Sequence, residues 1–318
     1  MNKVNGIIYA LLSSAAFGFM PIFAKLMYNS GSNTLTVLSV RFLLAAFILM
    51  IYFLIKRIDF KVSKTQLILL CLIGVVGYTS TGLTLFYSYN YVSVGLATTM
   101  HFIYPAVVII FNYFFYKEGF TKNKITALLL SLAGVYVLIG VKTEHIHLGG
   151  AFIALLSGFT YAGCVMGMNR SEVKGLPTLV SVFYFSLSAG FSLLIFTILS
   201  GNLYLPANIV TISSGIGISL ISTIVSIGIF VKALKIIGPA STSILGTFEP
   251  IVSIIMGVLL FNEKVTVALL IGTLLILSSV FILAKEKQST WYLNYQVLCF
   301  LFLTFNYSLY IFPMSYYY

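Results

Sequence analysis

Glu249 is the residue most open to chemistry in this sequence. It stands about eleven residues past Gly238, inside an apolar run. At the rise of a helix that is about 16 Å, near the middle of a hydrocarbon core. A carboxylate at that depth costs about 2.5 kcal/mol or more unless it is paired, hydrated or protonated. Such a group suits proton coupling or a cationic substrate group. The competing reading is a structural carboxylate bonded to a neighbouring helix. His101 is the one histidine inside an apolar run. It suits a proton relay, or a structural hydrogen bond. Arg41 enters its run about six residues from one end, close enough to snorkel or to pair inward, and reads as a structural charge. Pro105 and Pro250 each remove a helical hydrogen bond, freeing the carbonyls of His101 and Gly246. Freed carbonyls can line a cavity or mark a bend. Both prolines are therefore expected as helix kinks.

Aromatic residues make up 15% of the chain, enough to build a ring-lined pocket as well as a lipid-facing surface. Other reactive patterns are missing. There is no His-Glu-x-x-His helix, no Gly-x-Ser-x-Gly turn, no Asp inside an apolar run and no phosphate-binding Gly-x-x-x-x-Gly-Lys loop. Enzyme chemistry and direct ATP drive are not expected. Cys71, Cys164 and Cys299 are isolated in apolar segments, so neither a disulfide framework nor a zinc site is suggested. No cofactor and no metal is called for.

The elements that hold these residues must lie in a bilayer. Of the 318 residues 60% are apolar or aromatic and 8% are charged, with mean hydropathy +1.06. A soluble domain carries about 25% charged residues. The excess of 18 Lys and Arg over 7 Asp and Glu sits between apolar runs. It reads as a topology signal and not as a nucleic-acid surface. Apolar runs of spanning length appear near 7–27, 35–55, 66–88, 93–115, 124–141, 149–169, 178–199, 210–231, 238–260 and 266–284. With the N-terminus in the cytoplasm, all but Lys25, Arg41, Lys142 and Lys264 of the basic residues face inward. The fold expected is an all-α integral membrane protein of ten transmembrane helices with a cytoplasmic N-terminus.

The chain also repeats itself. A shift of 145 residues lays Pro105 on Pro250, Glu118 on Glu263, Thr121 on Thr266 and Val135 on Val280 without a gap. The mate of Glu249 is Tyr104. Five helices per half is an odd number, so the second half enters the membrane from the other side. Such inverted repeats are the architecture of secondary transporters, with the substrate near the midplane between them.

The residues that repeat carry a family likeness. Arg41-Phe42, the segment from Pro105 to Glu118, and the run from Gly238-Pro239-Ala240 through Phe248-Glu249-Pro250 to Glu263 resemble the EamA family of the drug/metabolite transporter superfamily. The resemblance covers about residues 4–287. It implies a first five-helix repeat at 4–142, a second at 148–287, and export of small metabolites such as amino acids or drugs through a cavity between them. It also implies that Tyr78, Phe86, Tyr104 and Tyr161 lie on cavity-lining helices, so that these four with His101 and Glu249 are the candidate substrate residues. Residues 288–318 exceed the family pattern, as an eleventh helix, an interfacial strip or an inessential aromatic tail. The expected partners are a small-molecule substrate, the lipid of the plasma membrane and protons as coupling ion; a homodimer is compatible. The alternatives are a passive channel or a membrane protein that moves nothing.

Overall fold

The computed structural model describes residues 2–88, 90–92, 94–117, 119, 121–139, 147–204, 206, 208–261 and 267–285. Glu118, Lys142, His145, Glu263, Lys264, Thr266, Cys299 and the 288–318 tail lie outside them. All regular structure among the described residues is helical. The first half runs α1 (Lys3–Gly18), α2 (Met20–Asn29), α3 (Thr34–Lys56), α4 (Lys64–Leu72), a π-helical stretch Ile73–Thr79, α5 (Ser80–Ser88), α6 (Val94–His101), α7 (Tyr104–Tyr116) and α8 (Lys122–Ile139). The second runs α9 (Leu148–Met168), the short α10 (Ser171–Lys174), α11 (Thr178–Leu199), α12 (Ile209–Ser219), a π-helical stretch Leu220–Val225, α13 (Ser226–Gly246), α14 (Glu249–Phe261) and α15 (Val267–Lys285).

Helix ends follow local chemistry. Asn33 Oδ1 accepts from Thr36 N at 2.9 Å to open α3, and Asn208 Oδ1 accepts from Thr211 N at 2.8 Å to open α12. Ser63 and Gln66 form a reciprocal capping box at α4. Arg57 and Lys117 adopt left-handed backbone and end α3 and α7. Among the described residues, seven helical stretches are long and apolar enough to cross a membrane, the longest Ile209–Gly246, and Glu249–Leu260 and Leu270–Lys285 are shorter apolar helices.

The run read at 238–260 is not one helix. Its first part belongs to α13, which bends at Gly238 (φ 76°, ψ 170°), and its second part is α14. The first run is likewise divided at Phe19, one residue before Met20-Pro21.

Packing joins helices distant in sequence. α1 lies along α13, α3 along α11, α8 along α15, and α9 against α5, α6 and α7. Between apolar helices in lipid, burial of oil against oil gives little drive, so small residues and hydroxyls hold the contacts. Ser13 Oγ donates to Ser226 O at 2.8 Å while Ser226 Oγ donates to Ser13 O at 2.9 Å, a reciprocal clasp of α1 on α13. Ser39 and Thr197 share a hydrogen bond of 3.0 Å between α3 and α11. Thr81 and Thr160 share one of 2.9 Å between α5 and α9.

The α8–α15 seam depends on backbone approach at Gly134. A Cβ there would lie 2.8 Å from Gly272 O and 3.1 Å from Ile276 N. Gly134→Ala must push the helices apart, at a cost of about 1–2 kcal/mol for overpacking. A lowered melting temperature in detergent is the expected result; an unchanged one would refute the close crossing.

Candidate functional site

Two interrupted helices build the centre of the molecule. α6 ends at His101, a two-residue turn follows, and α7 begins at Tyr104. α13 ends at Gly246, a two-residue turn follows, and α14 begins at Glu249. The hydrogen bonds of the two turns correspond. Ile103 N donates to Met100 O at 3.3 Å, and Phe248 N to Leu245 O at 3.2 Å. Ala106 N donates to Ile103 O at 2.9 Å, and Ile251 N to Phe248 O at 3.2 Å. The offset is the 145 residues of the sequence repeat.

Pro105 and Pro250 are each the second residue of the restarted helix. In a first turn no backbone donor is needed, and the ring presets φ. The prolines therefore start new helices here. Each new helix presents an N-terminal end, with its unpaired N–H groups and positive dipole, at the break.

Rings cover the space beside the breaks. Tyr104 and Tyr161 meet edge-on with centroids 4.8 Å apart. His101 lies 5.5 Å from Tyr161 and 5.7 Å from Tyr104. Tyr78 extends the chain, 6.4 Å from Tyr161, and continues to Phe42 at 5.5 Å and Phe185 at 6.2 Å. His101 Nδ1 shares a hydrogen bond of 2.9 Å with Ser157 Oγ on α9. Tyr104 Oη donates to Ser243 O at 3.3 Å, crossing from α7 to α13. Tyr78 is 7% exposed, and its hydroxyl has no oxygen or nitrogen partner among the described residues.

The charges face the same space. Arg41 is 6% exposed and turns into the protein; it does not snorkel. Its Nε donates to Thr223 Oγ1 at 2.9 Å, one terminal nitrogen to Ser222 O at 3.2 Å, and the other points at Met20 Sδ at 2.7 Å. Ser222 and Thr223 belong to the π-helical stretch before α13, so the guanidinium ties α3 to that stretch. The cation also lies 4.8 Å from the Phe42 ring centre and 5.9 Å from that of Phe17.

Arg41 is the charge that acts on Glu249, and Glu249 in turn acts on Tyr104 and Tyr161. Among the described residues the Glu249 side chain makes no hydrogen bond and no ion pair. It is half-buried, near Tyr104 and Tyr161. The arrangement offers one carboxyl, one guanidinium with donors to spare, and hydroxyl-edged rings. It suits holding a small polar or aromatic molecule without reacting with it.

Most of the candidates thus converge. Tyr78, His101, Tyr104, Tyr161, Glu249 and Arg41 share one region, and Pro105 and Pro250 sit at its two breaks. Phe86 is on α5, half-buried and packed against the same core cluster. Phe185, Ser157, Ser243 and Met20 are part of the region and carried no sequence signal of their own, while Phe42 had one as half of the Arg41-Phe42 motif. Gly246 had one, as the mate of His101 under the 145-residue shift. His147, in the loop after the fifth run, accepts from Gly150 N at 3.1 Å as the cap of α9 and stacks on Tyr91 at 5.1 Å.

Known proteins share this plan. The EamA-like transporter family model matches the chain twice, over residues 4–140 and 148–285. YicL, an uncharacterised inner membrane transporter of Salmonella typhimurium (strain LT2), is 23% identical over 291 residues, spanning 89% of this chain and 96% of its own. A solved crystal structure superimposes with a TM-score of 0.74 over 87% of this chain and 95% of that one, at 14% identity, a likeness of fold alone. With a family model matched across both halves and its helices apolar enough to span a bilayer, the chain belongs to the EamA-like transporter family and is a membrane transporter.

Proposed function

We propose that this chain is a secondary transporter that exports small organic metabolites, such as amino acids or drugs, from the cytoplasm by alternating access. The observation that carries the reading is the pair of matched helix breaks at 102–103 and 247–248. Discontinuous helices with their N-terminal ends near the midplane are how such carriers build a substrate site. The substrate would sit among Tyr78, Tyr104, Tyr161, His101 and Glu249, with Arg41 behind.

The architecture in this reading is ten transmembrane helices in two inverted five-helix repeats, residues 4–142 and 148–287, with 288–318 as a tail that transport does not need. Support comes from the common 145-residue offset of the breaks and from the π-helical stretches, which recur at nearly that offset. The basic residues favour a cytoplasmic N-terminus in the plasma membrane. The relative named as an inner membrane transporter agrees with that location.

Packing bears on what moves. α1, from the first half, is clasped to α13, and α9, from the second, lies on α5, α6 and α7. The rocking bodies are then α1 with α13 and α14, and α9 with α5 to α7, each mixing both halves. The antiparallel pairs α3–α11 and α8–α15 lie between them. Glu249 takes up a proton or the cationic group of a substrate, and Arg41 balances its charge between visits.

The test is flux in proteoliposomes with amino acids, purines and small drugs, for the natural chain and for Glu249→Gln, with and without a pH gradient. Saturable, gradient-driven flux that falls at least about tenfold in the variant is expected, the loss of about 1.4 kcal/mol of coupling or more. Unsaturable flux would point to a channel. Saturable flux untouched by the substitution would return Glu249 to a structural role.

A further inference from the structure

The two breaks match in backbone but not in what they touch. At the α13 break, the hydroxyl of Tyr104 donates to Ser243 O and occupies the place that a Cβ on Gly246 would fill. α7 packs on α13 there. Beyond the breaks, α6 and α14 make no comparable contact among the described residues. α7 thus closes on α13, while α6 and α14 do not close on one another among the described residues.

The 145-residue offset turns Tyr104 into Glu249, Ser243 into Thr98 and Gly246 into His101. In an inverted repeat, each half adopts in one facing state the arrangement its mate adopts in the other. We infer that in the opposite-facing state Glu249 does what Tyr104 does here: it reaches from α14 to the end of α6 and donates a hydrogen bond to Thr98 O, sealing that side. This rests on the carrier reading and adds to it a place and a partner for the Glu249 proton.

The chemistry of the pairs agrees. A phenol always carries its donor hydrogen. A carboxyl donates only when protonated, and a carboxylate repels a carbonyl oxygen. Thr98 O already accepts from Phe102 N at 3.0 Å and has a second lone pair to offer. Sizes agree as well. The long tyrosine needs a residue without a side chain opposite, and has Gly246. The shorter glutamate leaves room for the ring of His101, which Ser157 anchors. The groups that face Glu249 are Arg41 from α3, Tyr104 from α7 and Tyr161 from α9. Of the elements packed on α14, α1 carries Lys3 and Tyr9, and α2 carries Lys25 and Tyr28. α8 carries Lys122, Lys124 and Tyr136. Of the charges, Arg41 acts on the carboxyl.

The experiment measures the gap between α6 and α14 by pulsed electron resonance on the full chain in nanodiscs. Nitroxides go on Asn90 and Leu260, both exposed, with the three native cysteines replaced. Glu249→Gln is neutral and keeps a donor; Glu249→Leu is neutral and has none, with Glu249→Met as the substitute if leucine does not fold. Glu249→Gln should give the short distance in alkaline and acidic buffer alike. The natural chain should move from long to short on acidification, and Glu249→Leu should stay long in both. Identical distributions for glutamine and leucine, or a glutamine variant that stays long, would overturn the inference. If those results came with saturable flux in the natural chain, the carrier reading would stand without the seal. A natural chain that carries no solute and shows one distance under all conditions would refute both.

Discussion

Arg41→Met should cost about 2.5–3.5 kcal/mol of stability, because it strips the counter-charge from a carboxyl at depth. Arg41 is anchored by Thr223 and Ser222 and lies over Phe42. Methionine can fill much of its aliphatic volume, so lost packing is the smaller part. The larger part is Glu249, left with no positive partner at depth. The expected signature is non-additive. Arg41→Met should unfold at a markedly lower temperature in detergent, Glu249→Gln should shift little, and the double variant should recover most of the loss. A coupling of about 1 kcal/mol or more in that four-protein cycle is the expected outcome. Simple addition of the two single effects would show that Arg41 serves only its anchors on the π-helical stretch.

Gly246→Val tests the other half of the centre. A Cβ at this position falls on the hydroxyl of Tyr104, a buried ring fixed between Tyr161 and His101. That ring cannot swing aside without breaking the contacts on both faces. Overpacking of this kind costs about 1–3 kcal/mol, and valine, branched at Cβ, belongs at the upper end. Transport should fall with stability, since the seal between α7 and α13 passes through this contact. Tyr104→Phe in the same chain removes the oxygen that clashes and should restore much of the melting temperature. It should not restore the seal, because the bond to Ser243 O goes with the hydroxyl. Full recovery of flux in the double variant would separate the hydroxyl from gating altogether.

Much of this was legible in the residues. The bilayer follows from composition, since few charges cannot cover so much apolar surface. The family follows from motifs around Arg41, Pro105 and Glu249, and the family model matched both halves. The breaks were half-legible. Proline forbids a hydrogen bond, so a disturbance at Pro105 and Pro250 was expected, but a kinked helix and two separate helices obey the same rule. The full stop at two turn residues is decided by the tertiary structure alone. The run at 238–260 divides between two helices for a related reason. Gly238 bends α13 without ending its apolar character, so hydropathy could not show where one helix gives way to the next.

The membership of the site was less legible. A helix that is apolar on every side has no stripe to say which face meets protein and which meets lipid. Phe42, Phe185 and Phe86 therefore look alike as letters. The first two join the rings at the centre, and the third packs on the core from α5. Arg41 posed the same ambiguity, because snorkelling and inward pairing need the same spacing from a helix end. Tertiary structure chose the inward course by bringing the π-helical stretch at 220–225 beside it.

The sequence by itself determined the solvent, the family and the offset at which the halves correspond, because these depend on composition and on self-similarity along one dimension. The tertiary structure decided which helix lies on which, that α1 crosses to α13, that Arg41 looks inward, and that the hydroxyl of Tyr104 rests where Gly246 has no side chain. Those are questions of facing and of a few ångströms between distant segments, and in a chain apolar all round only packing answers them.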